Sequence, residues 1–423
     1  MILKHIRQYR SKNTQSTNEC IAALDIGTSK ICCAIAHVDG PDYLRVVGVG
    51  HQLSRGIRAG NIIDMQEAEL SVLNAVHLAE QMAKENISEV FVNIPLTRSQ
   101  TISAELPISG HSIDDADIRR LMTMARQVEE PENQEPVLTI PTSYEIDGRR
   151  GIRDPRGMFG DNLGVDILTI FSGTNNLRNI TTCVDRAHLN VKSFVATPLA
   201  AGFATLVDDE MDLGTIVIDM GAGTTTIGVF FEGNIVHSDC LSVGGLHVTN
   251  DIARILSTPV SQAERLKTLH GSVMTSTTDD RDIVKVPQIG ELHTPPTNQI
   301  AKSDLVRIIR PRIEETFELI RKRLERAGID KRVSNRVVLT GGGSQLPGLC
   351  DMAGAILDKQ VRLGKPLQSQ MLHKTMAGPA FSTCAGLLSY AHLERSEAIF
   401  TQQAIREPKT KIGKIGQWLK ENV

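Results

Sequence analysis

Two segments far apart in the chain share one pattern: CIAALDIGTSKICCAIA from Cys20 to Ala36, and TIVIDMGAGTTTIGVFF from Thr215 to Phe231. Each is an apolar β-rich run that reaches an aspartate, then a turn of small residues, then a second β-branched run. This reads as a hairpin with a carboxylate at its tip. Glycines at such a tip let backbone N–H groups approach phosphate oxygens without side-chain obstruction, and the Thr and Ser hydroxyls add donors. An aspartate cannot hold phosphate itself, but it can order a Mg²⁺ ion and its waters, which phosphates then share. Two such tips make a phosphate clamp with two facing lobes, and a nucleotide-binding chain is the leading reading.

A third cluster, VVLTGGGSQLPGL from Val337 to Leu349, reads as a buried strand, a bare glycine turn and a helix start. Gly341, Gly342 and Gly343 would let a flat ring or an α-phosphate lie directly on backbone. An ordinary strand-to-helix loop explains the same residues. The cluster gains weight by following two Asp-Gly hairpins in order.

In that order, DIGTSK resembles the first phosphate loop of the actin and heat-shock-70 ATPase fold, DMGAGTTT the second, and LTGGGSQLPGL the adenosine loop. ATPLAAGFATL (Ala196 to Leu206) and AGPAFSTCAGLLSYA (Ala377 to Ala391) resemble the two helices that cross at its hinge. Within that superfamily the chain is similar to the FtsA family of bacterial cell-division proteins. The likeness is carried by SRGIRAGNIIDM (Ser54 to Met65), by VLTIPTSYEIDGRRGIRDPRGMFG, and by the terminal KIGKIGQWLKENV. It implies an α/β actin-like ATPase fold of two duplicated lobes with a small subdomain inserted in the first. It also implies ATP and Mg²⁺ as ligands.

Residues 1–18 are basic and polar without the apolar stretch of a secretory signal, and are expected to be a flexible lead-in. The first lobe (1A) spans 19–96, with a helix expected over Gln66 to Asn86. The insert (1C) spans 97–176, with its own helix and strands, and the first lobe returns over 177–207. The second lobe (2A) occupies 208–245 and 331–370 around a small subdomain (2B) at 246–330. A closing helix of the first lobe follows at 371–393, a polar linker at 394–408, and an amphipathic tail at 409–423. Pro311 within IAKSDLVRIIRPRIEETFELIRKRLERAG suggests a kink or a second helix start. The 1C and 2B assignments are implied by the resemblance.

Bulk properties narrow the function classes. A net charge of −3 argues against general nucleic-acid binding. The seven cysteines are scattered with no C-x-x-C pair, which predicts buried free thiols in a reducing compartment. No run of eighteen apolar residues occurs, so no membrane-crossing helix is expected.

Within the cleft, Asp25 and Asp219 would face each other and organise Mg²⁺ through water; plain turn stabilisation is the competing reading. Gly27, Thr28, Ser29 and Lys30 would hold β- and γ-phosphates from one lobe, although Lys30 also reads as a solvated strand end. Gly221, Ala222, Gly223, Thr224 and Thr225 would do so from the other. Gly244 and Gly245 end a strand and open a helix whose first turn faces the nucleotide. Glu264 and Lys267, three apart on one helix face, match by resemblance an acid and a lysine that contact ribose and adenine; a surface ion pair is the alternative. No catalytic residue is assigned. Hydrolytic relatives place a Glu in the first connecting helix, whereas ATPLAAGFATL offers no acid, amide or His, so slow or undetectable hydrolysis is expected.

The tail places Ile412, Ile415, Leu419 and Val423 along one helical stripe, with Trp418 beside it and Lys411, Lys414 and Lys420 flanking it. An apolar face with a lysine rim suits the interface of an anionic membrane, and each lysine contributes about 1 kcal/mol there. A helix docked on its own domain is the competing reading. By resemblance, the main partner is the C-terminal peptide of the tubulin-like GTPase FtsZ. It would meet the small second-lobe subdomain, where Arg310 and Arg312 could receive acidic groups; a solvated helix face explains them equally. Filament self-association, and contact of the insert with later division proteins, are also implied. Two other classes fit parts of the chain: a small-molecule kinase of the same superfamily, which needs a catalytic Asp, and a pilus-assembly adaptor, which lacks the tail.

Overall fold

Strand β1 (Cys20–Ile26) turns through residues 27–29 into β2 (Lys30–Gly40), with Asp25 opposite Cys32 and Ile26 opposite Ile31. The computed structural model to which these elements belong describes residues 20–40, 43–125, 131–290, 298–329, 335–367 and 374–406. β3 (Tyr43–Leu53) extends the meander, and the short pair β4 (Ile57–Arg58) and β5 (Asn61–Ile62) leads to helix α1 (Met65–Ala83). Asp64 starts that helix by accepting hydrogen bonds from the Gln66 and Glu67 amides at 3.0 and 3.2 Å. Left-handed Lys84 (φ +60°) ends it, short of the expected Asn86. Its buried face, Ala68, Val72, Ala75 and Ala79, lies on β3, where Gly50 lets the Ala75 carbonyl approach into space that a Cβ would occupy. β6 (Glu89–Ile94) then runs parallel to β1.

The chain next leaves the first sheet. β7 (Thr97–Pro107), α2 (Asp115–Ala125), β8 (Gln134–Ile146), β9 (Arg149–Ile152) and β10 (Asn162–Gly173) build a four-stranded sheet of order β7-β10-β8-β9. It has its own core, in which Ile108, Ile118, Leu121, Leu163 and Val165 pack together. Helix α3 (Thr174–Arg186) and β11 (Asn190–Ala196) return to the first sheet, whose order is β11-β6-β1-β2-β3.

Helix α4 (Thr197–Thr205) and the short α5 (Asp208–Leu213) cross to the second lobe. There β12 (Thr215–Met220), β13 (Thr225–Phe231) and β14 (Asn234–Leu241) repeat the opening meander. The small subdomain follows: α6 (Gly245–Ile255), α7 (Val260–His270), β15 (Ile283–Val286), β16 (Asn298–Ala301) and α8 (Lys302–Arg326). α8 runs through Pro311 as one helix of 25 residues, so neither a second start nor a break occurs there. β17 (Arg336–Thr340), a 3₁₀ turn at Gly342–Gln345, α9 (Leu349–Leu357) and β18 (Gln360–Leu363) complete the lobe.

The second sheet has order β14-β13-β12-β17-β18 and matches the first strand for strand: an antiparallel meander of three, then two parallel strands. The repeated sequence motif is thus a repeated topology. The last helix, α10 (Ser382–Arg406), closes onto the first lobe and crosses α4 where Gly386 lies against the Ala200 carbonyl, leaving no room for a Cβ. α10 continues to Arg406, so the stretch expected as a linker from 394 is helical up to that point. Residues 1–19 and the whole tail, with Lys411, Ile412, Lys414, Ile415, Trp418, Leu419 and Lys420, lie outside the described residues. Among the described residues no helix is long and apolar enough to cross a membrane.

Candidate functional site

The two hairpin tips meet. A Cβ built on Gly223 would stand 2.5 Å from Thr28 Oγ1 and 3.0 Å from the Ala59 Cα, so only a glycine lets the second-lobe turn come this close to the first. Each turn is closed the same way. The Gly27 amide donates to the Lys30 carbonyl at 3.1 Å, and the Gly221 amide to the Thr224 carbonyl at 2.9 Å. Thr28 Oγ1 accepts from the Gly60 amide at 3.4 Å, while Ser29 is exposed.

Behind the tips lie the two aspartates, both buried, 8 and 7 % exposed. Burial pushes the Asp25 carboxyl up to about 7; the nearby Lys30 ammonium draws it down and Asp219 pushes it further up. Asp219 is raised chiefly by burial too, against the Thr383 hydroxyl, which donates to Oδ2 at 2.7 Å, and against Lys30. The Lys30 ammonium is buried and has no hydrogen-bond acceptor among the described residues; it stands 3.3 Å over the centre of the Phe381 ring. It is therefore not a solvated strand end. A buried cation with unused donors beside two carboxylates is a site short of acceptors.

The glycine cluster forms the third wall. Gly341 has φ +85°, and a Cβ there would run into Asp219 Oδ1 and the Met220 carbonyl. Gly342 is exposed, and its Cβ would meet only Ala380 Cβ at 3.8 Å, so bare backbone faces outward. Gly343 packs on Met220. Thr340 ties this wall to α10 through its hydroxyl, 2.7 Å from Ser382 Oγ.

On the second-lobe side, the Gly245 and Leu246 amides donate to the Gly221 and Ala222 carbonyls at 3.0 and 2.8 Å, and Gly244 is pressed on the same turn. Lys267 is more than a surface partner for Glu264. Its ammonium bonds Glu264 Oε2 at 2.7 Å, Thr249 Oγ1 at 2.9 Å and the Gly245 carbonyl at 3.1 Å, which carries the pair to the glycine end of α6. Thr224 is buried with the tip. Thr225 is not brought to the cleft face: it is fully buried in β13, and its hydroxyl donates to the Val243 carbonyl at 2.8 Å. Arg310 and Arg312 sit apart from this site on α8. Arg310 pairs with Glu314 at 2.7 Å; Arg312 holds Asp251 with two nitrogens at 2.7 and 3.2 Å and also pairs with Glu315.

Three residues that shape the site escaped the sequence reading. Asn93 Oδ1 accepts from the Ile26 amide at 2.7 Å and so fixes the backbone next to Asp25. Thr383 orients Asp219, and Phe381 lies under Lys30. The only local signal is the run Pro379 to Thr383, a proline and hydroxyl cluster at a helix start.

Comparison with known proteins bears on the family and the fold. The sequence profile described as Cell division protein FtsA matches residues 216–386, and that of the SHS2 domain inserted in FtsA matches residues 96–171. The cell division protein FtsA of Agrobacterium fabrum is 41 % identical over 418 residues, covering 95 % of this chain and 94 % of its own length. That of Escherichia coli is 29 % identical over 416 residues, covering 95 and 97 %. Among solved structures, a PilM-PilN type IV pilus biogenesis complex superposes with a TM-score of 0.62 at 15 % identity, covering 90 % of this chain and 99 % of the other. MreB5 of Spiroplasma citri bound to ADP superposes with a TM-score of 0.52 at 14 % identity, covering 90 and 98 %. The fold is the actin-like ATPase fold with an SHS2 insertion, and with relatives so similar along nearly its whole length the chain belongs to the FtsA family of cell division proteins.

Proposed function

We propose that this protein binds ATP in the cleft between its two hairpin tips and, as a membrane-attached actin-like division protein, anchors the FtsZ ring to the inner face of the cytoplasmic membrane and recruits later division proteins. The observation that carries the nucleotide reading is the buried Lys30 ammonium, without an acceptor among the described residues, near the two buried aspartates at the glycine tips. Asp25 and Asp219 would hold Mg²⁺ through water, and that ion supplies positive charge shared by carboxylates and phosphates. Gly27, Thr28, Ser29 and Lys30 would take the β- and γ-phosphates with the Gly221 to Thr224 turn. Gly341, Gly342 and Gly343 would present backbone to the α-phosphate and base, and the Glu264–Lys267 pair would stand beside the sugar. Kinship of fold with an ADP-bound MreB5 supports a nucleotide at this place.

Every residue of α4 from Thr197 to Thr205 except Phe203 is buried, and none carries an acid, amide or imidazole to orient an attacking water. ATP therefore acts as a ligand for conformation and assembly, turning over far below the about 1–100 per second of ordinary kinases. Attachment falls to the terminal amphipathic stretch. One copy binds weakly, and copies aligned in a filament multiply that affinity without new contacts. For FtsZ, Arg310 is freer than Arg312, its neighbour on α8, since Arg312 is already committed to Asp251.

Equilibrium binding of Mg-ATP tests the cleft. Wild type should bind and melt at higher temperature with ligand. Gly342→Asp should keep its ligand-free melting temperature, because the new side chain points into open space, and lose binding, because its carboxylate faces phosphate. Undiminished affinity in a folded Gly342→Asp protein would refute the pocket.

A further inference from the structure

Cys20, the first residue of β1, lies opposite His37 of β2, so both side chains leave one face of the sheet. Left-handed Lys84 turns the chain at the end of α1 and delivers Glu85 to the same place. His37 Nε2 lies 2.9 Å from Glu85 Oε2. The thiol sulfur, an imidazole nitrogen and a carboxylate oxygen all lie within 4.8 Å of one another. The other cysteines follow the expectation of covered thiols, four of them buried and two half-buried, whereas Cys20 is exposed.

We propose that Cys20, His37 and Glu85 form a Zn²⁺ site that fastens the start of β1 to the end of α1, with water in the fourth position. The donor set selects the metal. Thiolate and imidazole together suit Zn²⁺, while Mg²⁺ and Ca²⁺ prefer oxygen alone. Tetrahedral Zn²⁺ with ordinary bond lengths sets its ligand atoms about 3.3–3.8 Å apart. The His37–Glu85 contact at 2.9 Å is shorter than that spacing, so these two atoms part slightly to admit the ion, and the exposed Cys20 thiol completes the set. Binding releases the thiol proton to solvent as the sulfur–metal bond forms. The ordinary alternative is an imidazole–carboxylate pair with a bystander thiol, and that arrangement binds no metal through sulfur.

Co²⁺ titration of the reduced full-length protein separates the two, since a cobalt–thiolate bond gives a charge-transfer absorption in the near ultraviolet. The full chain should develop that band with one equivalent of Co²⁺ and lose it when Zn²⁺ is added. Cys20→Ser should abolish the band, and His37→Gln should weaken Co²⁺ binding by at least roughly tenfold. Cys350→Ser, which alters a half-buried thiol elsewhere, should leave both unchanged. Absence of the band in wild type, or its survival in folded Cys20→Ser protein, would overturn the proposal.

Discussion

Asp25 gives the site a measurable signature. Its folded pKa of about 7 stands above the ordinary 3.8, so between those values the folded chain holds a proton that the unfolded chain has released. The contribution of Asp25 to the stability of the ligand-free protein is therefore fully present below the ordinary value and is lost as pH rises through the window, by at most about 1.4 kcal/mol per pH unit. Asp219 is shifted the same way and adds to the slope. Asp25→Asn should flatten the fall in melting temperature between pH 4 and 7, as read by calorimetry in the absence of nucleotide; an unchanged slope would mean that Asp25 is ionised in the folded chain. Both aspartates and the glycines were legible because their chemistry and their turns are local. Thr383, Asn93 and Phe381 were not, because each reaches the site from a distant segment. Thr225 looked like a phosphate ligand by its place after the glycines, but strand pairing buries it and turns its hydroxyl to backbone.

At the scale of elements, the crossing of α4 and α10 governs how the lobes are joined. Gly386 admits the Ala200 carbonyl where any Cβ would collide, and Gly202 admits the Phe230 ring in the same way. Gly386→Ala should force the two helices apart and destabilise the protein by about 1–3 kcal/mol. Gly378→Ala, just before α10 with nothing within 4 Å of the added carbon, should be close to neutral. Equal melting temperatures for the two variants would show that the crossing is loose. The helices themselves were readable from ATPLAAGFATL and AGPAFSTCAGLLSYA. The extension of α10 beyond Glu394 was not, since a polar stretch without a core pattern resembles a linker. Ala, Glu, Gln and Arg there are strong helix formers, and no Gly or Pro interrupts them before Pro408.

For the whole molecule, the insert is joined to the second lobe as well as the first. Thr97 Oγ1 lies 2.9 Å from Ser238 Oγ, and Ser99 Oγ accepts from the Ser238 amide at 2.8 Å while lying 3.1 Å from His237 Nδ1. If the proposed nucleotide shifts one lobe against the other, it would act on a seam that also holds the insert. Duplication made the two-lobe architecture legible, whereas this seam depends on pairings across 138 to 141 residues that no local pattern displays. The proposed link from an ATP cleft to a membrane-held FtsZ ring runs through one chain. Its most direct test is co-sedimentation of FtsZ with anionic vesicles in Mg-ATP, with the full-length protein or its Trp418→Glu variant. FtsZ should pellet only with the wild-type chain, because a charge at the proposed apolar anchor costs several kcal/mol on insertion, and the variant should still bind ATP. If the Trp418→Glu protein carries FtsZ to the vesicles as wild type does, or if vesicle-bound wild type leaves FtsZ in the supernatant, the account is wrong.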